Sequence, residues 1–360
     1  MFDFIPIDLY TPIYFYIMLI VVLFFFIHTQ TEKLNTSSNV LFLKFWGVLL
    51  LSFVLFYIGF RPISIVFTDM KLYTEIFKNF QLYGAQMLEN PRDYFFDVFT
   101  LVCSKIMSVH MYFFTCACLY VIPLYVVSVK WFKKRWVYMF LVLVVSFSFW
   151  NFGTNGLRNG IATSLFLLAI SRDKLLWKII WLIVAINIHL TMFLPFVGFS
   201  IATLYNKPKQ FLIFWFACIP ISIIAGGAFQ VLFSRLMGDE RSSYFIEEAI
   251  SSFSSSGFRW DFLIYSSTAV FSGWYYIFKR NFKDKFYSVL YSTYLFANGF
   301  WILVIKANFS NRFAYLSWFM LAVVIFYPWL KEYLVQKQHI KLGYLILTYA
   351  LFTFFMNVII

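Results

Sequence analysis

The sequence predicts an all-α polytopic membrane protein, and three observations carry that prediction. Hydrophobic residues make up 62% of the 360 and charged residues 12%, a balance that suits a chain whose solvent is lipid. The cations fall in short clusters separated by long apolar runs. The runs between clusters have the length of one or two helices of roughly 20 residues, enough to cross about 30 Å of hydrocarbon.

Taken in order, the elements begin with MFDFIPIDLYTP, which holds Asp3 and Asp8 and no Lys or Arg. It lacks the basic n-region of a cleavable leader, so the run behind it is expected to stay as a helix. Measured by the same length, the chain divides into about twelve crossings: 11–28, 40–60, 109–129, 136–152, 157–171, 175–189, 190–205, 210–226, 261–278, 286–304, 313–330 and 342–359. The apolar stretch 94–108 carries Asp97 and Lys105. A crossing there would put the cluster at 130–135 on the wrong side, so it is read as a re-entrant or interfacial helix. Cys103, Cys116, Cys118 and Cys218 lie mostly within apolar runs without CxxC spacing, which marks them as packing residues.

The clusters KWFKKR (130–135), RDK (172–174), KPK (207–209), KRNFKDK (279–285) and 331–341 all lie between crossings. The positive-inside rule places such loops in the cytoplasm and both termini outside. This segregation assigns the net charge of +13 to topology and excludes nucleic acid as its partner. Cation type also changes side: fifteen of nineteen lysines fall inside, and seven of ten arginines fall outside. Topology asks only for positive charge, whereas the planar guanidinium grips phosphate oxygens two at a time. The inner loops hold only Glu32, Asp173, Asp284 and Glu332, widely separated, so no carboxylate pair is present to hold Mg²⁺ against a sugar nucleotide. No metal site is evident outside either, because Asp93 with Asp97 and Asp239 with Glu240 read as solvated helix ends.

Two outer segments are long enough to fold over the membrane surface within one integral domain, 1–360. The first, 61–108, contains apolar Leu72, Tyr73, Ile76, Phe77 and Phe80 at helical spacing, with Asp69 at the N-cap. The second, 227–260, pairs a short amphipathic helix with a Ser and Gly run that reads as the hinge of a lid. The outer apexes carry Arg61, Arg158, His189, Arg241, Arg259 and Arg312. Legs of about fifteen residues on either side of His189 reach only about 23 Å, which draws that turn below the outer surface. The same measure draws Arg158 to the membrane boundary, where an unpaired cation costs about 2.5–3.5 kcal/mol. Glycines flank it at 153, 156 and 160, and a helix N-terminus follows. Arg158 is therefore either an anion ligand or a cation that snorkels to lipid phosphate.

The run Asn155-Gly-Leu-Arg158-Asn159-Gly160-Ile-Ala162 resembles the Asn-Gly-Ile/Leu-Arg-Gln-Gly-Ile/Leu-Ala run of the EpsG branch of the Wzy-type polysaccharide polymerases, with Asn159 in place of Gln. Asn187-Ile-His189-Leu-Thr191 is similar to that family's helix-ending histidine. Gly59-Phe-Arg61, then Thr68-Asp69, then Tyr73 resembles its early block, with Phe67 where Gly often stands, and Asn311-Arg312-Phe-Ala-Tyr315 resembles its late arginine. The resemblance implies a GT-C-like architecture in the bacterial inner membrane, with the active site facing the periplasm. It implies a glycosyltransferase that moves a growing glycan from undecaprenyl pyrophosphate onto a new lipid-linked repeat unit, without cofactor or metal and with a chain-length regulator as a further partner. Arg158, Arg61 and Arg312 would then bind pyrophosphate, and His189 or Asp69 would serve as the base. Tyr73, Asn155, Asn159, Arg241 and Arg259 would make lesser substrate contacts.

Two rival classes are an O-antigen ligase, which uses the same donor, and a lipid-linked oligosaccharide flippase. A flippase of repeated halves would show similarity between 1–180 and 181–360, and none is seen. It would also line a path through the bilayer with charge, whereas here the charge gathers at one face.

Overall fold

The computed structural model describes residues 4–88, 93–237, 257–306 and 310–359, apart from the side chains of 87, 230–237, 310–312 and 359. Among the described residues there is no strand. Six stretches are long and apolar enough to cross a membrane: Ile7–Thr31, Ser37–Gly59, Val109–Val144, Pro208–Phe229, Phe313–Lys331 and Gln338–Val358. Shorter apolar helices are Leu157–Ile170, Leu175–Ile188 and Leu190–Leu204. The chain divides into two compact units, one of Met1–Met192 with Trp329–Ile360 and one of Phe193–Pro328.

The first unit contains α1 (Ile7–Thr31), α2 (Ser37–Gly59), α3 (Thr68–Tyr83), α4 (Tyr94–Ile106), α5 (Val109–Phe132), α6 (Trp136–Val144), α7 (Phe149–Thr154), α8 (Leu157–Ile170) and α9 (Leu175–Ile188). After Lys133, at φ 47°, the chain reverses, and Trp136 of α6 returns edge-on to Tyr125 of α5 at 5.0 Å. The crossing predicted at 136–152 is broken: α6 has nine residues and α7 six, with a turn over 145–148 between them. A break in apolar surroundings frees carbonyls that water cannot reach. Two buried tyrosines meet this demand, with Tyr14 donating to the Val144 carbonyl at 2.9 Å and Tyr120 to the Phe149 carbonyl at 3.2 Å. Tyr10 and Tyr57 stack at 4.4 Å and exchange hydroxyl-to-carbonyl bonds of 2.6 and 2.9 Å, which fastens α1 to α2.

At one end of this unit the lysine-rich turns meet. Lys130 pairs with Asp173. Arg135, buried, donates to Asn35 at 3.0 Å and to the Leu330 carbonyl at 3.2 Å. Helices α2, α5, α8 and α9 run from these turns to the opposite end, where Arg61, Arg158 and His189 lie. The stretch 94–108 is a helix of 13 residues whose first half packs toward α3, with Phe96 edge-on to Tyr73 at 5.3 Å. Asp69 is the second residue of α3, two places beyond the N-cap, which is Phe67.

The second unit contains α10 (Phe193–Leu204), α11 (Pro208–Met237), α12 (Trp260–Trp274), α13 (Lys285–Leu303) and most of α14 (Ser310–Lys331); α15 (Gln338–Phe354) belongs to the first unit, against α1. The kink in α11 falls at Ala225, just before Gly226-Gly227, where a helix bends cheaply. Buried Asn298 of α13 ties four helices: its Oδ1 accepts from Trp215 of α11 at 2.7 Å, and its Nδ2 donates to Ser266 of α12 and Ser317 of α14 at 3.1 and 3.0 Å. Trp318 donates to the same Ser266 hydroxyl at 2.7 Å. Interhelical hydrogen bonds and packing hold such helices together, since lipid supplies no hydrophobic drive between them.

Candidate functional site

Arg158 is the second residue of α8. The helix starts abruptly because α7 ends at Thr154, with Asn155 as its C-cap, and Gly156 takes φ −149°, ψ 45° at the N-cap of α8. Gly160 is required for packing: a Cβ there would stand 2.9 Å from the Phe152 carbonyl oxygen of α7. That glycine lets α7 and α8 approach each other.

The guanidinium of Arg158 meets a carboxylate. Nη1 donates to Asp93 Oδ2 at 2.6 Å, with the Asp93 side chain fully buried and the Arg158 side chain 23% exposed. The other oxygen, Oδ1, accepts the Leu190 backbone N–H at 3.2 Å. With its oxygens divided between two segments, Asp93 holds Arg158 by one nitrogen and does not clasp the fork. Asp93 is thus a buried hub joining the start of α4, the start of α8 and the turn after α9. It is not the solvated helix end that the sequence indicated. The one signal that pointed to it was general: an excess of outer arginines near the membrane calls for an anion among them.

Beneath Arg158 lies the ring of Tyr73 from α3, with the guanidinium carbon 5.6 Å from its centroid. Tyr73 is buried, which pushes its phenol up, while Arg158 acts in the opposite direction. His189 ends α9 with an extended backbone, φ −153°, ψ 113°, and its side chain is buried. The Thr191 N–H points at Nδ1 at 3.3 Å, and the Thr191 hydroxyl lies 2.8 Å from the same nitrogen. This makes Nδ1 an acceptor and assigns the proton of the neutral ring to Nε2.

Arg61 follows α2 and is 1% exposed. Nη1 donates to the Ile58 carbonyl at 2.5 Å, and the rings of Phe113 and Phe67 lie 5.6 and 5.7 Å from the guanidinium carbon. Nε and Nη2 have no hydrogen-bond partner among the described residues. Burial lowers its pKa to about 10, opposed by Cys116, Tyr10 and Asp69. Asp69 acts on Tyr73 as well as on Arg61, so its carboxylate is felt at both side chains.

Arg61, Asp69, Tyr73, Asp93, Arg158 and His189 thus gather in the first unit. Asn155 is exposed and Asn159 half-buried on the same α7–α8 turn. Arg259 belongs to the second unit, where it grips Asp261 with two bonds of 2.9 and 2.6 Å and lies 3.6 Å from the Phe262 ring centroid. Arg312 is the third residue of α14, and its side chain is outside the described set, as are Arg241 and most of the 227–260 segment. Among the described residues, no three His, Cys, Asp or Glu side chains gather in a metal-binding group.

The helices and this charged cluster define a multi-pass, all-α membrane protein. Residues 44–360 match the EpsG family, and the chain belongs to that family of Wzy-like polymerases. No curated protein and no solved structure matches the chain.

Proposed function

We propose that the protein is a polysaccharide polymerase of the bacterial inner membrane. It moves a growing glycan from undecaprenyl pyrophosphate onto the terminal sugar of a new lipid-linked repeat unit at the periplasmic face. The twelve-crossing, GT-C-like topology with both termini outside is part of this proposal, as is a chain-length regulator as partner. The observation that carries the reading is Arg158: a partly exposed guanidinium at a helix start, held at one nitrogen by a buried carboxylate.

In the reaction, an acceptor hydroxyl oxygen attacks the anomeric carbon of the donor. The new glycosidic bond forms as the bond to pyrophosphate breaks, and the lipid pyrophosphate leaves with the electron pair. Arg158 stabilises the charge that develops on the leaving group, with Arg61 as a second cation. The Nε2–H of His189 suits donation to a sugar or phosphate oxygen, which leaves Asp69 as the base for the hydroxyl proton. No metal takes part in these steps.

Arg158→Lys tests the assignment, because it retains the charge and loses the fork. Polymer should fall at least about tenfold at unchanged protein level, a loss of about 1.4 kcal/mol or more in transition-state binding. On a surface-glycan gel a failed polymerase leaves lipid A core capped by one repeat, whereas a failed flippase or ligase leaves none. A full ladder from a well-expressed Lys variant would remove Arg158 from the pyrophosphate site.

A further inference from the structure

An apolar cavity of about 620 Å³ lies among α4, α5, α8 and α9, within the roughly 300–1,000 Å³ typical of small-molecule sites. Its walls include Ile161, Leu165 and Leu168 of α8, Val184 and Ile188 of α9, and Pro123 of α5. The α8 residues stand three, seven and ten positions after Arg158, so they share a face and lead about 15 Å away from it. At the end nearer Arg158 the cavity also includes Ile188, next to His189, and Tyr94, next to Asp93. One end of a hydrocarbon-lined groove therefore meets the Asp93, Arg158 and His189 cluster, and the rest descends toward the lysine-rich turns.

We propose that this groove holds the first isoprenoid units of the lipid carrier and so sets the register of its pyrophosphate against Arg158. The inference rests on the polymerase reading above. It follows from two demands of one molecule: an anionic head needs the cation, and the chain attached to that head must leave along an apolar path that begins beside it. This groove combines apolar walls with that adjacency. Bulk lipid is as apolar as the groove, so transfer from the bilayer yields little free energy. What the groove contributes is shape and position, and its signature is discrimination between tails more than overall affinity.

The test compares two synthetic donors with the same pyrophosphate-linked repeat, one on a full undecaprenyl tail and one on a two-isoprene tail, using the purified full chain. Wild type should prefer the long tail in kcat/KM. Leu165→Trp, which fills the groove, should reduce that preference about tenfold, equivalent to about 1.4 kcal/mol. Val184→Trp, at a less buried position, repeats the test if the first variant fails to fold. A preference equal to wild type in a folded variant overturns the groove assignment and leaves the polymerase reading standing. Transfer from neither donor by wild type overturns the polymerase reading itself. Binding is read separately through Trp181, which lines the same cavity. The quenching of wild type by brominated phospholipid, less that of Trp181→Phe, should be relieved by undecaprenyl pyrophosphate. Quenching that persists means the groove is a site for bulk phospholipid only, which also overturns the assignment.

Discussion

Replacing Asp93 by Asn removes the charge that faces Arg158 while keeping the shape of the side chain. Breaking one partner out of a fully buried ion pair costs about 3–5 kcal/mol. Here Asp93 is wholly buried but Arg158 keeps 23% of its side chain exposed, so water recovers part of the loss. Asn also still accepts the Leu190 N–H. The expected cost is about 2–3 kcal/mol, close to that of one charge-assisted hydrogen bond. At about 2 °C per kcal/mol for a large domain, the melting temperature in detergent should fall by about 4–6 °C. The decisive assay is a double-mutant cycle with Arg158→Met. Once the cation is gone, losing the carboxylate should cost little, so the double variant should melt close to Arg158→Met alone, with a coupling of about 2 kcal/mol. Additive losses, within about 0.5 kcal/mol, would show that the 2.6 Å contact carries no free energy and would refute the hub.

Arg61→Met should melt higher than wild type, by about 1 kcal/mol or more, because an apolar isostere relieves a buried guanidinium with two unpartnered nitrogens; the same variant should lose polymer, and a lower melting point would show that the cation stabilises the fold. Gly257→Cys, in a background lacking Cys103, Cys116, Cys118 and Cys218, should react with an impermeant maleimide in intact cells, while Lys283→Cys should not. Labelling at 283 refutes the topology. Polymerisation by the purified chain should survive EDTA, and loss with rescue by a divalent ion would overturn the metal-free chemistry.

Helix positions were legible because hydropathy acts locally: 40–60 was expected where Ser37–Gly59 stands, and 157–171 where Leu157–Ile170 stands. The break at 145–148 was not. Its sequence, Val-Ser-Phe-Ser, holds no Pro or Gly, and the hydroxyls that make the break tolerable come from Tyr14 and Tyr120, far along the chain. Arg158, Tyr73 and His189 were legible as one group through motif order. Asp93 was misread because its burial depends on α4 meeting both α8 and the turn after α9, partners 65 and 97 residues away. Gly160 illustrates a different limit: a glycine that admits a neighbouring helix and one that admits a ligand look the same in sequence.

The division of Asp93 between Arg158 and the Leu190 amide makes the two sides of the site one thermodynamic system. An anion that draws the guanidinium away from Oδ2 also releases a constraint on the carboxylate that steadies the chain beside His189. Linkage requires the effect to run equally in reverse, so whatever settles against the His189 turn alters the grip on Arg158 by the same factor. Occupancy on one side is then felt at the other through a single side chain.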